Sequence, residues 1–271
     1  MTKALSGNAA ATGFTVAISL GIASCLVNAS SGQDLKLGSY RSDGVRIAYA
    51  TRGRGEPVVL LHGWLSNAGI NWELPGISSA LARDFHVIEM DVRGHGLSDK
   101  PEREEQYGEK LVDDVVRLLD HLEIEKAHVV GYSMGGIIAG KFVVDHPDRV
   151  RSVALCGMGW LEQGGLAQRL FDQIGKNDPH AKAVAICGHS LARLALTRNA
   201  LESIKVPVAV IVGDKDFVKD MYVKPLRAVR KDWPVVEIDD ADHLNCIVKP
   251  QFKAELRKWL LSQEGRLPGR V

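Results

Sequence analysis

The stretch GYSMGG, residues 131–136, decides how the chain is read. It follows the apolar run Ala127-His128-Val129-Val130 and precedes Ile137-Ile138-Ala139. Three glycines around a serine, between an expected strand and an expected helix, have two readings. Glycine serves a tight connection where the backbone leaves no room for a side chain. The turn can also exist to expose Ser133. A G-x-S-x-G turn between strand and helix does both. Gly131 and Gly135 let the backbone close, the serine hydroxyl is pushed outward, and the next amide, Met134 N–H, aims at the same spot. A helix that starts near Met134 adds its positive N-terminal end there.

A serine hydroxyl is a poor nucleophile without a base. With the serine first in the chain, an acid and then a histidine are expected after it. His243, in Asp240-Ala241-Asp242-His243, is the one histidine beyond His189. It follows the last expected strand. The acid is expected after the penultimate strand, where Gly213-Asp214-Lys215-Asp216 lies. Asp214 suits the turn itself, bonding backbone amides. Asp216 sits further into the loop and is freer to reach an imidazole, so it is the preferred acid. A second amide for a developing oxyanion is expected after an early central strand. His62-Gly63-Trp64 stands there, and Trp64 N–H is the candidate. His62 precedes the serine and reads as a hydrogen-bonder of the turn.

Outward from this stretch, apolar runs at 57–61, 86–90, 127–130, 150–155 and 206–212 read as strands buried on both faces. Residues 45–49 alternate, and 235–238 make a last short strand. Helical spacing marks 110–119, 137–144 and 252–261. Strands alternating with helices predict an α/β chain: a mostly parallel central sheet flanked by helices. Residues 37–262 form that domain and 263–271 a tail. Residues 157–204 break the rhythm, with helix-like pieces and no clear strand. Connections in such units usually run about 2–6 residues, so this segment reads as a short inserted helical lid. Trp160, Leu161, Leu166, Leu170 and Phe171 are its candidate substrate contacts, with ordinary core packing as the competing reading.

The 271 residues carry 34 basic and 33 acidic side chains, a net charge of +1. That balance gives no footprint for nucleic acid. The four cysteines form neither a zinc knuckle nor a disulfide framework. No metal or cofactor is expected, and Gly157-Met158-Gly159 lacks the context of a dinucleotide fingerprint. The mostly apolar stretch at 9–27 follows Lys3 and leaves three readings open. It is a signal cleaved before Ser30, a lipoprotein signal that leaves Cys25 lipidated, or a retained membrane anchor. The first two imply export to the periplasm or beyond.

Six motifs in order resemble the α/β-hydrolase fold family. They are His62-Gly63-Trp64, the run from Asp91 through Arg93-Gly94-His95-Gly96 to Asp99, GYSMGG, His146-Pro147-Asp148-Arg149-Val150, Gly213 to Asp216, and Asp242-His243. The resemblance implies an α/β-hydrolase fold and a carboxylesterase-like serine hydrolase. It implies Ser133 as nucleophile, His243 as base, Asp216 as acid and the Trp64 and Met134 amides as oxyanion hole. It implies a structural role for the turn at 93–96. Small esters are the expected substrates. Lactone hydrolysis, C–C bond hydrolysis and cofactor-free perhydrolysis are alternatives within the family, and a non-catalytic binding module is the alternative outside it. Haloalkane dehalogenases and epoxide hydrolases use aspartate where this chain has Ser133, which argues against both chemistries.

Overall fold

The computed structural model of the protein describes residues 35–171 and 182–265. Eight strands form one sheet: β1 Lys36–Ser42, β2 Val45–Arg52, β3 Glu56–Leu61, β4 Phe85–Met90, β5 Ala127–Tyr132, β6 Val150–Cys156, β7 Val208–Gly213 and β8 Val235–Ile238. Its order is β1-β2-β4-β3-β5-β6-β7-β8. β2 runs antiparallel to both β1 and β4, and every other neighbouring pair is parallel.

The helices are α1 Ile77–Leu81, α2 Lys110–His121, α3 Met134–Asp145, α4 Leu166–Phe171, α5 Lys182–Ser190, α6 Arg198–Ser203, α7 Lys224–Val229 and α8 Pro250–Glu264. They cover both faces. Val59 and Leu61 of β3 join α2 and α3 in one apolar cluster. Val58 and Leu60 join α1 and α8 in another. This alternation is what a strand buried on both sides requires. α2 buries Leu111, Val115 and Leu118 on one stripe. α3 is apolar almost all round, since it packs against the sheet and also meets α2 and α6.

Parallel strands bring the C-terminal ends of β3, β5, β7 and β8 to one edge, where sites in such sheets form. Among the described residues, the segment at 157–204 contains α4, α5, α6 and a short 3₁₀ turn, with a single isolated bridge between Glu162 and Leu196. α8 runs to Glu264, past the boundary expected at 262. Its end is tied down, because buried His128 meets Ser152 Oγ through Nδ1 at 2.8 Å and Glu264 Oε1 through Nε2 at 3.0 Å. Cys156, Cys187 and Cys246 are buried and unpaired. The calls on residues 1–29, including Cys25, lie outside the described residues. Among the described residues no helix is long and apolar enough to cross a membrane.

Candidate active site

Ser133 sits at φ 52°, ψ −112°, a region that side-chain-bearing residues avoid. Such strain costs about 1–3 kcal/mol and persists where the surroundings impose it. Here the strand ends impose it. Ser133 N–H donates to Cys156 O at 2.8 Å, locking the turn to β6. A Cβ at Gly131 would stand 2.1 Å from Gly135 O, and one at Gly135 would stand 2.1 Å from Leu61 O. Neither position admits any other residue. The tight connection and the exposed serine are therefore one feature.

The loop after β8 carries His243 to the serine. His243 Nε2 lies 2.9 Å from Ser133 Oγ, and its Nδ1 lies 2.9 Å from Asp216 Oδ2. With an ionised carboxylate at Nδ1, the ring carries its proton there and offers the Nε2 lone pair to the hydroxyl. The Asp216 side chain is fully buried. Its second oxygen, Oδ1, accepts Val218 N–H at 2.9 Å, which fixes the carboxylate's orientation. Asp214 does the turn work. Its Oδ1 accepts Ala241 N–H at 2.8 Å, and this amide bond holds its carboxyl below the ordinary range. That bond pins the end of the β8 loop, two residues before His243. Asp242 Oδ1 takes the Leu244 and Asn245 amides, and Tyr132 OH donates to His243 O at 2.7 Å. The histidine is thus held by its loop from both sides.

The β3 loop faces the same serine. A Cβ on Gly63 would stand 3.6 Å from Ser133 Cβ. Gly63 N–H donates to Asn71 Oδ1 at 2.7 Å. Asn71 is buried in a π-helical turn, Gly69–Glu73. His62 is buried, its Nε2 accepting Val92 N–H at 3.0 Å and its Nδ1 donating to Gly63 O at 2.8 Å. Burial lowers its pKa, so it stays neutral and structural. Asp91 clamps the two loops by accepting Ala68 N–H and Leu97 N–H. The turn at 93–96 is anchored by Arg93, whose Nε meets Asp114 Oδ2 at 2.6 Å with neither side chain exposed. Burial alone would favour loss of the Arg93 proton, but Asp114 more than offsets this and its pKa is raised. Among the described residues neither Trp64 N–H nor Met134 N–H has a hydrogen-bond partner, so both amides remain available.

α5, in the segment at 157–204, docks on this loop. Trp64 Nε1–H donates to Val184 O in α5 at 2.9 Å, and Cys187 of α5 meets Met134 Sδ at 3.8 Å. The five expected lid contacts divide. Trp160 and Leu161 are buried in the large core cluster, with Trp160 Nε1–H bonded to Leu196 O at 2.9 Å. Their backbone is tied in as well, Trp160 N–H donating to Tyr222 O at 3.0 Å and Leu161 O accepting Leu196 N–H at 2.9 Å. Phe171 packs against the same cluster, while Leu166 and Leu170 of α4 face solvent. Sequence reading missed Asn71, Tyr132 and Phe217. Phe217 follows Asp216, and its ring centre lies 5.1 Å from that of His243. Nothing in an isolated Asn, or in the variable position of G-x-S-x-G, announces such roles. Among the described residues no cluster of His, Cys, Asp or Glu could hold a metal ion.

A family model described as the alpha/beta hydrolase fold matches residues 56–185. A 2-hydroxymuconate semialdehyde hydrolase of Pseudomonas sp. (strain CF600) is 38% identical over 118 residues, 42% of this chain and 40% of that protein. The chain thus matches well under two thirds of that relative's length. A 2-hydroxy-6-oxo-6-phenylhexa-2,4-dienoate hydrolase of Burkholderia cepacia is 29% identical over 219 residues, covering 80% of this chain and 68% of that one. The structure of a hydrolase from Pseudomonas aeruginosa PA01 superposes with a TM-score of 0.67 at 24% identity, over 84% of this chain and 98% of that one. Sheet order, glycine turn and family model agree: the chain has the alpha/beta hydrolase fold.

Proposed function

We propose that the protein is a serine hydrolase that cleaves neutral carboxylic esters through an acyl-enzyme on Ser133. The observation that carries this is the unbroken relay from Asp216 through His243 to Ser133, with 2.9 Å at each step. His243 Nε2 takes the hydroxyl proton as Ser133 Oγ attacks the ester carbonyl. The Met134 and Trp64 amides donate to the oxyanion, each such donor being worth about 3–4 kcal/mol. The imidazolium, held in its tautomer by Asp216, gives that proton to the leaving alcohol. Water then attacks the acyl-enzyme, passes a proton to His243, and the acid leaves as Ser133 recovers its own. A non-catalytic binding module would have no need of this relay or of a strained serine.

The names of the relatives favour a second reading, C–C bond hydrolysis. Dienoate substrates carry a carboxylate, which calls for a cation beside the serine. Among the described residues, the groups bonded to or stacked on the side chains of Asp216 and His243, apart from each other and Ser133, are the Val218 amide and the Tyr132 and Phe217 rings, all uncharged. This supports a neutral ester. Stopped-flow hydrolysis of p-nitrophenyl butyrate tests the reading. We expect a burst of one p-nitrophenol per chain and a butyryl adduct on Ser133 by mass. Turnover of a 2-hydroxy-6-oxo-dienoate with no ester hydrolysis would reverse the order of the two readings.

A further inference from the structure

A buried polar atom without a partner is uncommon and asks for a reason. Among the described residues, four such atoms belong to one group of side chains: Arg52 Nε, Glu73 Oε1, Ser78 Oγ and Glu89 Oε1. Arg52 pairs with Glu73 Oε2 at 2.6 Å, while its Nε stands 4.0 Å from Glu89 Oε1. Glu89, on β4, is buried, and Glu73 and Ser78 face its carboxyl. Two carboxyls thus share one guanidinium. If both were ionised, one buried negative charge would lack a counterion, which is strongly disfavoured. Two carboxylates are also acceptors only and cannot bond each other. A proton on Glu89 answers both objections: Glu89 donates to Glu73, and Glu73 stays the ion partner of Arg52.

The place of Glu73 gives this pair a consequence. It is the last residue of the π-helical turn Gly69–Glu73, in which Asn71 accepts Gly63 N–H. The turn is gripped at both ends from β4 and the loop after it. Asp91 Oδ1 accepts Ala68 N–H at 2.9 Å at its start, and Glu89 meets Glu73 at its end. We propose that Glu89 and Glu73 hold one proton between them, and that this carboxyl pair positions the turn bearing Asn71 and, through it, the loop that offers Trp64 N–H. Glu89 is then a positioning residue that acts through Glu73 and Asn71. Burial first, and the Glu73 side chain next, keep its proton on up to about pH 9. As pH rises through that value the proton leaves, the carboxylates repel, and the turn loses its hold. The polar groups facing Glu89 are Glu73 of the turn, Ser78 of α1 and Arg52 of β2. β3 brings apolar Val58 and Leu60 to the cluster under α1, and α8, packed on α1, has Lys253 and Arg257 engaged by Pro75 O and Asp84.

The purpose of the pair rests on the catalytic reading above, but its first test does not. Hydrogen–deuterium exchange at pH 7 on full-length Ser133→Ala protein reads the turn without turnover. Adding Glu89→Ala removes the donor, and exchange across 63–73 is expected to quicken about tenfold while α2 and α3 exchange as before. Adding Glu89→Gln instead keeps a donor to Glu73 and restores slow exchange. Equal exchange in the Gln and Ala proteins, or a change spread evenly over the chain, overturns the proposal. The second test follows p-nitrophenyl butyrate from pH 7.5 to 10, with uncatalysed hydrolysis subtracted. Wild-type kcat is expected to fall about tenfold around pH 9 with KM little changed, and Glu89→Gln to lose that fall. An alkaline fall that survives Glu89→Gln overturns the proposal. Absence of ester turnover beside the expected exchange pattern would sink the ester reading alone, the exchange still assigning the pair to the turn.

Discussion

Asp216 and Asp214 stand two residues apart, and the structure separates their duties by what each oxygen meets. Asp216 touches His243 and Val218, while Asp214 touches Ala241. Asp216→Ala is expected to lower kcat by about 10⁴, as loss of a relay acid does elsewhere. Asp214→Ala is expected to keep kcat within about tenfold, because the loss of one backbone bond weakens a turn by about 1 kcal/mol. Steady-state rates on p-nitrophenyl butyrate decide this, and a dead Asp214→Ala with an active Asp216→Ala would invert the roles. Asn71 offers a subtler case. Asn71→Leu leaves the buried Gly63 N–H without its acceptor, a loss of about 1–3 kcal/mol. If that loss falls on the oxyanion loop, kcat drops about 10- to 100-fold with KM little changed, whereas a change confined to thermal stability would make Asn71 a packing residue. At this scale Ser133 and His243 were legible from motif and order. Asp216 was legible only as the better of two. Asn71 was silent, because its role depends on a π-helical turn that no short pattern encodes.

Among elements, the buried strands were readable because a strand covered on both faces must be apolar throughout. β1 was not, since KLGSYRS is an edge strand with only two fully buried positions. α1, α6 and α7 were hidden by their length of five or six residues, too short to display a helical period. The segment at 157–204 was legible as helical but not in its contacts. Its anchor is α5, held by the Trp64 indole on the Val184 carbonyl. Trp64→Phe keeps the ring and removes that donor, which costs about 1 kcal/mol. Amide exchange in 183–190 is then expected to quicken about fivefold while α2 and α3 exchange as before. Unchanged exchange would mean that packing alone holds α5.

For the whole molecule, two buried groups set opposite responses to pH. Burial, helped by neighbouring His62, lowers the His95 pKa from 6.5 to about 4. The unfolded chain then binds the extra proton first, so stability falls as pH drops from 6.5 towards 4, by about 3 kcal/mol. Burial, followed by the Glu73 side chain, raises the Glu89 pKa from 4.5 to about 9. Here the folded chain holds the extra proton, so stability falls as pH rises from 4.5 to 9. The two slopes oppose each other between 4.5 and 6.5. Glu89→Gln is expected to be more stable than wild type at pH 8 and to reveal a steeper acid slope below 6.5. Urea titrations from pH 4 to 9 measure both, and a wild-type alkaline slope that survives Glu89→Gln would place it on another group.

The relay itself is tested most directly by a fluorophosphonate, which phosphonylates only a serine made nucleophilic by its surroundings. The expected result is one adduct per chain, mapped by peptide mass to Ser133. It should be lost in Ser133→Ala and slowed by about 10³ or more in His243→Ala. A wild-type protein that resists labelling, or a Ser133→Ala protein that labels as fast as wild type, would contradict the account.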